Sequence, residues 1–485
     1  MDYKSLNKIK SVSERKIPEY VKLNDFDRAI RWMAVRSNLL YELNRSLFDE
    51  LIEDNLEKVF VSKTNQSLSD NIKPTNRIVF VDVVSKDRRG LSNQYVNALI
   101  GNDIEFLYIT ENPSFKQTGI CQQIQLYDKA SYCIVPSFKK STDKVRFIYD
   151  KIIQYAPSKV LCHLLPWSIT MLVALAALPK SIKRININIT DHAFWAGVSV
   201  MDYNIEFRNH GKDLSVQYRG FQGPQEFVLP YYPYIDSSPF EGFNGIETKD
   251  KVVLFFGGAL YKIYGEDDFF LKLIAKVLKT HNNCICVCAG GGDSGHLLSF
   301  IKKEGLENVW HYIGFRRDIY EVVRHCDILI NTYPIGGGLM CQYAAMCSKP
   351  VIAFAKAKAI EEVLSTSENV TFLQEKDFLD FIDLLILDKS FREEYGEKLN
   401  ANLPTPSKFN SLLKLILDKC ISSYSGYSHQ YRTDIINNGL RNDYSCESVI
   451  LRNLGLGSVL YYPPIIFWVI KKFTSEFVNK LNMIL

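Results

Sequence analysis

The chain has 485 residues, of which 47% are hydrophobic and 23% charged, enough to build two core-bearing domains with extensions. Its 58 basic residues nearly balance its 54 acidic ones, leaving a net charge of +4, and this argues against a dedicated nucleic-acid binder with basic residues gathered on one face. The 11 cysteines form no CxxC pair, so neither a disulfide framework nor a zinc site is expected, and a reducing, cytoplasmic setting is.

Residues 1–72 read as a helical extension without a glycine, and the opening MDYKSLNKIKSVSERK, polar and mixed in charge, reads as no secretory signal. At Arg77 the texture changes. RIVFVDVVS has the character of a buried strand, RRGLSNQ of a turn and YVNALIGN of a short helix leading to the strand IEFLYIT. KASYCIVPS, KVLCHLL and RININIT continue the series as strands, with a helix over Trp167 to Leu178, so residues 73–240 form one parallel α/β domain. Leu161 to Leu178 is apolar, but Pro166 interrupts it and it is short for a membrane span, so burial is expected. Prolines and glycines collect over Leu229 to Gly245, the expected hinge. A second α/β domain covers residues 250–400, with strands at KVVLFFGG, NCICVCA, VWHYIGF, Asp327 to Asn331 and Val351 to Phe354. Residues 401–485 form a C-terminal extension. From Ser458 it carries an apolar run broken by Pro463-Pro464 and closed by Lys471-Lys472, which cannot span a bilayer. Two readings stand open for it: a helix lying on a membrane surface, or a helix packed back on the protein.

The richest segment is DILINTYPIGGGLMCQYAAMCSKPVIAF, a strand, then Pro334 and Gly336, Gly337 and Gly338, then a helix and a second strand. Backbone amides without side chains at the start of a helix cradle an anion, and ligands of parallel sheets lie beyond the carboxyl ends of the strands. FFGGALYKIYGEDD sets Gly258 and Lys262 at another strand end, where a lysine offsets the charge of a leaving diphosphate. Gly290, Gly292 and Gly295 match G-x-G-x-x-G, but they follow the second strand of their domain and lack a placed acidic partner for a ribose. They read as a further cleft-facing turn, not as a dinucleotide fingerprint. In the first domain, Asp191 and His192 fall just past a strand, with Trp195 and Gly197 in the loop that follows. A histidine there suits a general base oriented by its neighbouring carboxylate. Arg89 and Gly90, after the first strand, are the other candidate contact from that side.

At these residues the chain resembles the GT-B glycosyltransferases, and more narrowly it is similar to the O-GlcNAc transferase and bacterial protein N-glucosyltransferase group and to related bacterial polysaccharide glycosyltransferases. LYKI at Leu260 to Ile263, the glycine turn with its helix, and FWAGVSVMDYNIEF carry the resemblance, over roughly residues 185–360. It implies an α/β GT-B fold, two Rossmann-like domains facing across a cleft with helical extensions. It also implies transfer of a hexose or N-acetylhexosamine from a UDP-sugar donor, with no cofactor and no metal. Lys262 takes the diphosphate, with Gly258, Gly291, Gly314, Phe315, Arg316, Pro334, Gly336, Gly337, Gly338 and Leu339 on the donor side. His192 and Asp191 are catalytic, and Arg89, Gly90, Trp195 and Gly197 face the acceptor, a glycan, lipid-linked glycan or protein.

The chain departs from that pattern in two places. Gly337, Gly338 and Leu339 stand where family members place His-Thr-Thr or Asn-Thr-Asn, and Gln342 or Tyr343 replaces the helix carboxylate that holds a ribose. No E-x7-E pair of the large retaining GT-B group occurs in residues 250–400, which leans the reading toward inversion. Bacterial surface glycan synthesis, in the cytoplasm or at the inner face of the plasma membrane, is the expected setting. A non-catalytic GT-B partner subunit and a UDP-sugar 2-epimerase are the alternatives.

Overall fold

The computed structural model describes residues 3–43, 46–59, 75–86, 91–235, 238–243, 245–355, 360–421 and 446–466. The first sheet has seven strands: β1 (Ile78–Asp82), β2 (Phe106–Thr110), β3 (Ala130–Ile134), β4 (Lys159–His163), β5 (Lys183–Ile187), β6 (Tyr203–Glu206) and β7 (Glu226–Val228), in the order β3-β2-β1-β4-β5-β6-β7. The second has six: β8 (Val252–Gly257), β9 (Cys284–Ala289), β10 (Trp310–Tyr312), β11 (Ile328–Ile330), β12 (Val351–Phe354) and β13 (Thr371–Phe372), in the order β10-β9-β8-β11-β12-β13. Both are parallel. Helices cover both faces of such sheets, so their strands are apolar throughout instead of alternating, and β1, β2, β8 and β9 are buried at every position. The cysteines of β9 are part of that core, and burial raises the pKa of each thiol.

Connection order reverses between β1 and β4 in the first sheet and between β8 and β11 in the second. At such a reversal the flanking loops diverge and leave a crevice over the strand ends. Asp82 and His163 end the first pair, and Gly257 and Asn331 lie at the ends of the second.

The extensions are layers on the first domain. Helices Tyr3–Lys22 and Phe26–Leu43 pack together, and the C-terminal helix Cys446–Leu454 packs on the second of them, with Ile450 and Ile465 fully buried and Tyr461 edge-on to Trp32 at 5.0 Å. The stretch from Ser458 to Ile466 thus folds back on the protein, while residues 467–485 lie outside the described residues. No helix among the described residues is long and apolar enough to cross a membrane. Leu161 to Leu178 is β4 plus the buried helix Ile169–Ala176.

Helix Pro406–Lys419 returns from the second domain to the first, capped by the Thr405 hydroxyl on the Lys408 amide with Pro406 in its first turn. Phe409 sits edge-on to Tyr95 at 5.3 Å and to Tyr232 at 5.5 Å, and Asn102 Nδ2 donates to the Asn410 carbonyl at 2.9 Å. Phe409→Ala is expected to cost about 3–5 kcal/mol through the cavity it leaves, measured by chemical denaturation. A loss below about 1 kcal/mol would mean that this helix does not brace the first domain.

Candidate active site

Four turns meet at the crest of the second sheet. The β8 strand ends at Gly257, and Gly258, at φ +140°, takes a conformation that a side chain resists. Its amide donates to the Ala289 carbonyl at 3.0 Å, and Leu260 N donates to Gly291 O at 2.9 Å, which ties this loop to the turn after β9. A Cβ on Gly290 would run into the Gly258 carbonyl, so two backbones pass with no side chain between them. Gly290 N donates to Gly314 O at 2.9 Å, bringing in the loop after β10, where Phe315 is 59% exposed and its ring approaches Gly291.

The same loop holds the turn after β11. Ile335 N donates to Lys262 O at 3.3 Å, Lys262 Nζ lies 3.5 Å from Gly336 O, and Pro334 packs against Gly265. Asn331 Oδ1 accepts from Gly337 N at 2.8 Å. That bond removes Gly337 from the set of amides expected to meet an anion. The helix Gly338–Met346 makes its first bond from Cys341 N to Gly337 O, so the amides of Gly338, Leu339 and Met340 lie ahead of it. Gly258, Lys262, Gly291, Gly314, Phe315, Pro334, Gly336, Gly337, Gly338 and Leu339 are therefore brought to one crest.

Arg316 is not brought there. Its guanidinium makes two bonds to Asp318, at 2.7 and 2.5 Å, and donates to the Gly242 carbonyl at 2.8 Å, which fixes the interdomain linker. The resemblance put it on the donor side; the side chain turns away to satisfy a buried carboxylate.

Across the cleft, Asp191 is fully buried and accepts from Arg208 Nε at 2.5 Å and Nη2 at 3.1 Å, while His192 Nδ1 lies 2.8 Å from Asp191 Oδ1. Burial pushes the Asp191 carboxyl up, but the Arg208 guanidinium and the His192 bond outweigh it and hold it well below the usual carboxylate range. A permanently ionised carboxylate on Nδ1 fixes the tautomer and orientation of a ring whose side chain is 47% exposed. Arg219, buried against the Trp195 ring, donates to the carbonyls of Asp191 at 2.7 Å and Ala193 at 2.8 Å and so clamps the loop from beneath. His210 N donates to Glu362 Oε2 at 3.1 Å, joining this side to the second domain.

Trp195 and Gly197 do not face the cleft. Trp195 is 5% exposed, and a Cβ on Gly197 would run into Leu172. The Gly197 amide donates to Glu53 Oε1 at 2.8 Å, and Glu53 also takes the Ser199 amide and hydroxyl at 2.9 and 2.7 Å. The glycine serves close packing against a carboxylate from the N-terminal helices, a partner that local spacing does not reveal. Arg89 and Gly90 lie outside the described residues. The sequence reading also missed Asn331, Arg208, Arg219 and a second acid–histidine pair, Asp82–His163. A carboxylate closing the apolar strand RIVFVD and a histidine closing KVLCH were the available signals.

Comparison with known proteins follows from this geometry. Residues 250–387 match the family model described as Glycosyl transferases group 1. Anabaena HepE, in complex with UDP and glucose, is similar in structure at a TM-score of 0.54 and 14% identity, covering 71% of this chain and 100% of that one. Thermobaculum terrenum O-GlcNAc transferase gives 0.51 at 14% identity over 84% of this chain and 82% of that one. S. aureus TarM, in complex with Fondaparinux, alpha-GlcNAc-glycerol and UDP, gives 0.51 at 10% over 71% and 100%. A search of curated proteins by sequence finds no match. The fold is GT-B, two Rossmann-like domains across a cleft. The likeness in structure is one of fold, and the match to the glycosyltransferase family model is carried by the second domain.

Beneath the His192 loop, Glu206 and Glu226 share the Asn204 amide, at 2.8 Å to the first and 3.0 Å to the second. Burial, then repulsion from Glu206, pushes Glu226 up to about 9 from an ordinary 4.5. Between these values the folded chain holds a proton that the unfolded chain releases, so stability falls as pH rises through that window. Chemical denaturation from about pH 5 to pH 9 is expected to show this loss, and Glu226→Gln to flatten it. Equal slopes in the two proteins would contradict the assignment.

Proposed function

We propose that this chain transfers a hexosyl or N-acetylhexosaminyl group from a UDP-sugar to an acceptor hydroxyl, with inversion and without a metal. The observation that carries the reading is the joined crest at the β8/β11 reversal. There Lys262 and the leading amides of helix Gly338–Met346 converge at one strand-end crevice, where a diphosphate gathers charge as it leaves. UDP in the structures of HepE and TarM supports the choice of nucleotide. Phe315, exposed beside Gly291 and Gly314, offers a flat apolar face for the base.

In the reaction, His192 takes the proton from the acceptor hydroxyl, the oxygen attacks the anomeric carbon, and the bond to the UDP oxygen breaks. Asp191 steadies the imidazolium that forms. Inversion is supported by the engagement of Glu361 and Glu362 elsewhere. Glu361 accepts from Thr371 N at 2.8 Å and Thr371 Oγ1 at 2.8 Å, and Glu362 from His210. Bacterial surface glycan synthesis at the inner face of the plasma membrane is the setting this reading favours, with Leu460, 81% exposed on the folded-back segment, as a point of membrane contact.

Calorimetric titration is expected to show UDP binding that does not depend on magnesium. Lys262→Ala should weaken it about 10- to 100-fold, the loss of one charge-assisted contact. His192→Ala should leave UDP affinity unchanged and lower turnover by a factor on the order of 10²–10⁴, and the product anomer read by NMR should be inverted. Undiminished UDP binding in the lysine variant would remove Lys262 from the site, and a near-normal rate in the histidine variant would remove the general base.

A further inference from the structure

Tyr231 lies in the hinge between the two domains, and the first turn of helix Gly338–Met346 packs around it. Gln342 Nε2 donates to its carbonyl at 2.9 Å, and the Phe207 ring stands against its own at 5.5 Å. Its hydroxyl reaches Gly338, where a Cβ would stand 3.1 Å from the phenol oxygen and 3.2 Å from Val363 Cγ1. Gly338 has no positive φ, so its backbone would accept a side chain. What takes the room of that side chain is the tyrosine, with Val363 beside it.

The Tyr231 ring lines a cavity of about 370 Å³, whose walls also carry Leu339 from the helix start and Lys86 and His163 from the first domain. The Tyr343 hydroxyl in that cavity is engaged by Tyr234 O at 2.6 Å, whereas no hydrogen-bond partner reaches the Tyr231 hydroxyl among the described residues. Burial pushes the Tyr231 phenol up to about 12, with Arg208 acting against the shift and Asp191 with it. The oxygen therefore keeps its proton at neutral pH and has it to donate.

Donors thus gather around Gly338. They are the amides of Gly338, Leu339 and Met340 ahead of the helix's first bond, the Lys262 ammonium, 3.9 Å from a Cβ built on Gly337, and the Tyr231 phenol. Lys86 adds a positive charge from the facing wall. A group that offers only acceptors matches such a set, and a phosphate oxygen is one. We infer that the Tyr231 hydroxyl donates to the diphosphate of the sugar donor, from the place that a side chain on Gly338 would otherwise hold. A hinge residue then completes the cradle instead of a side chain of the helix itself, and the diphosphate is held by the second domain and by the segment that joins it to the first. The inference rests on the transfer reading above and adds a donor-binding residue to it.

The test is titration of the full chain with UDP, by calorimetry, and with uridine, which lacks the diphosphate, by saturation-transfer NMR. Tyr231→Phe keeps the ring against Phe207 and the carbonyl bonded to Gln342. It should weaken UDP about 10-fold or more and leave uridine within about twofold. Gly338→Ala retains every amide of the helix start and pushes the hydroxyl aside. It should give the same selective loss, and it carries the test if the tyrosine variant does not fold. Adding Gly338→Ser to Tyr231→Phe supplies a hydroxyl at the same place and should recover most of the lost UDP affinity. That rescue separates a lost contact from a lost fold even where uridine binds too weakly to follow. Undiminished UDP affinity in both single variants, equal losses for UDP and uridine, or a double variant as weak as Tyr231→Phe alone would overturn the role of Tyr231. Failure of the unaltered chain to bind UDP would instead strike the donor reading, and this inference with it.

Discussion

The crest of the second sheet depends on one close passage of backbone, Gly258 against Gly290. Because no Cβ stands between them, the loop after β8 drops far enough to bond the turn after β9 through Leu260 and the turn after β11 through Lys262. The chain order of the second sheet places these turns side by side, but only this loop fixes their relative height. Tyr264, whose hydroxyl donates to the Asp293 carbonyl at 2.7 Å, and Gly265, packed on Pro334, repeat the same linkage further along. The proposed anion cradle is thus preorganised, its dipoles held in place by bonds within the protein.

The helix that starts at the cradle is also bonded to the hinge. Gln342 Nε2 donates to Tyr231 O at 2.9 Å, and Tyr343 OH donates to Tyr234 O at 2.6 Å. These are the positions where the resemblance led one to expect a carboxylate for a ribose. Here the side chains hold the segment between the domains, and Gln94 holds the same segment from the first domain through Tyr232. Arg316 and Asp318 fix the linker further on. Helix Gly338–Met346, the hinge and the first domain are consequently one bonded unit.

The parts legible in the sequence are those set by short-range chemistry. Parallel strands announce themselves as unbroken apolar runs, and β1, β8, β9 and β12 lie where such runs predicted them. The sequence also puts the glycine turn and Lys262 at strand ends, and the structure brings the two together. Trp195, Gly197 and Arg316 mislead for the opposite reason. Their neighbours in sequence face the cleft, but their side chains or amides answer to distant partners, Leu172, Glu53 and Gly242 among them. Asp82 and His163 stand 81 residues apart and become a pair only through the β1/β4 register. The folding back of Ser458 to Ile466 is equally invisible locally, since an apolar run does not say which surface will cover it.

The central claim is that the crest of the second sheet, and no other part of the chain, receives a nucleoside diphosphate. Hydrogen–deuterium exchange of the full chain with and without UDP tests it most directly. Protection concentrated in the loop from Gly257 to Lys262, the turn from Gly290 to Gly292 and the helix start from Gly336 to Met340 is the expected result. Protection confined to the first domain, or none at saturating UDP, would contradict it.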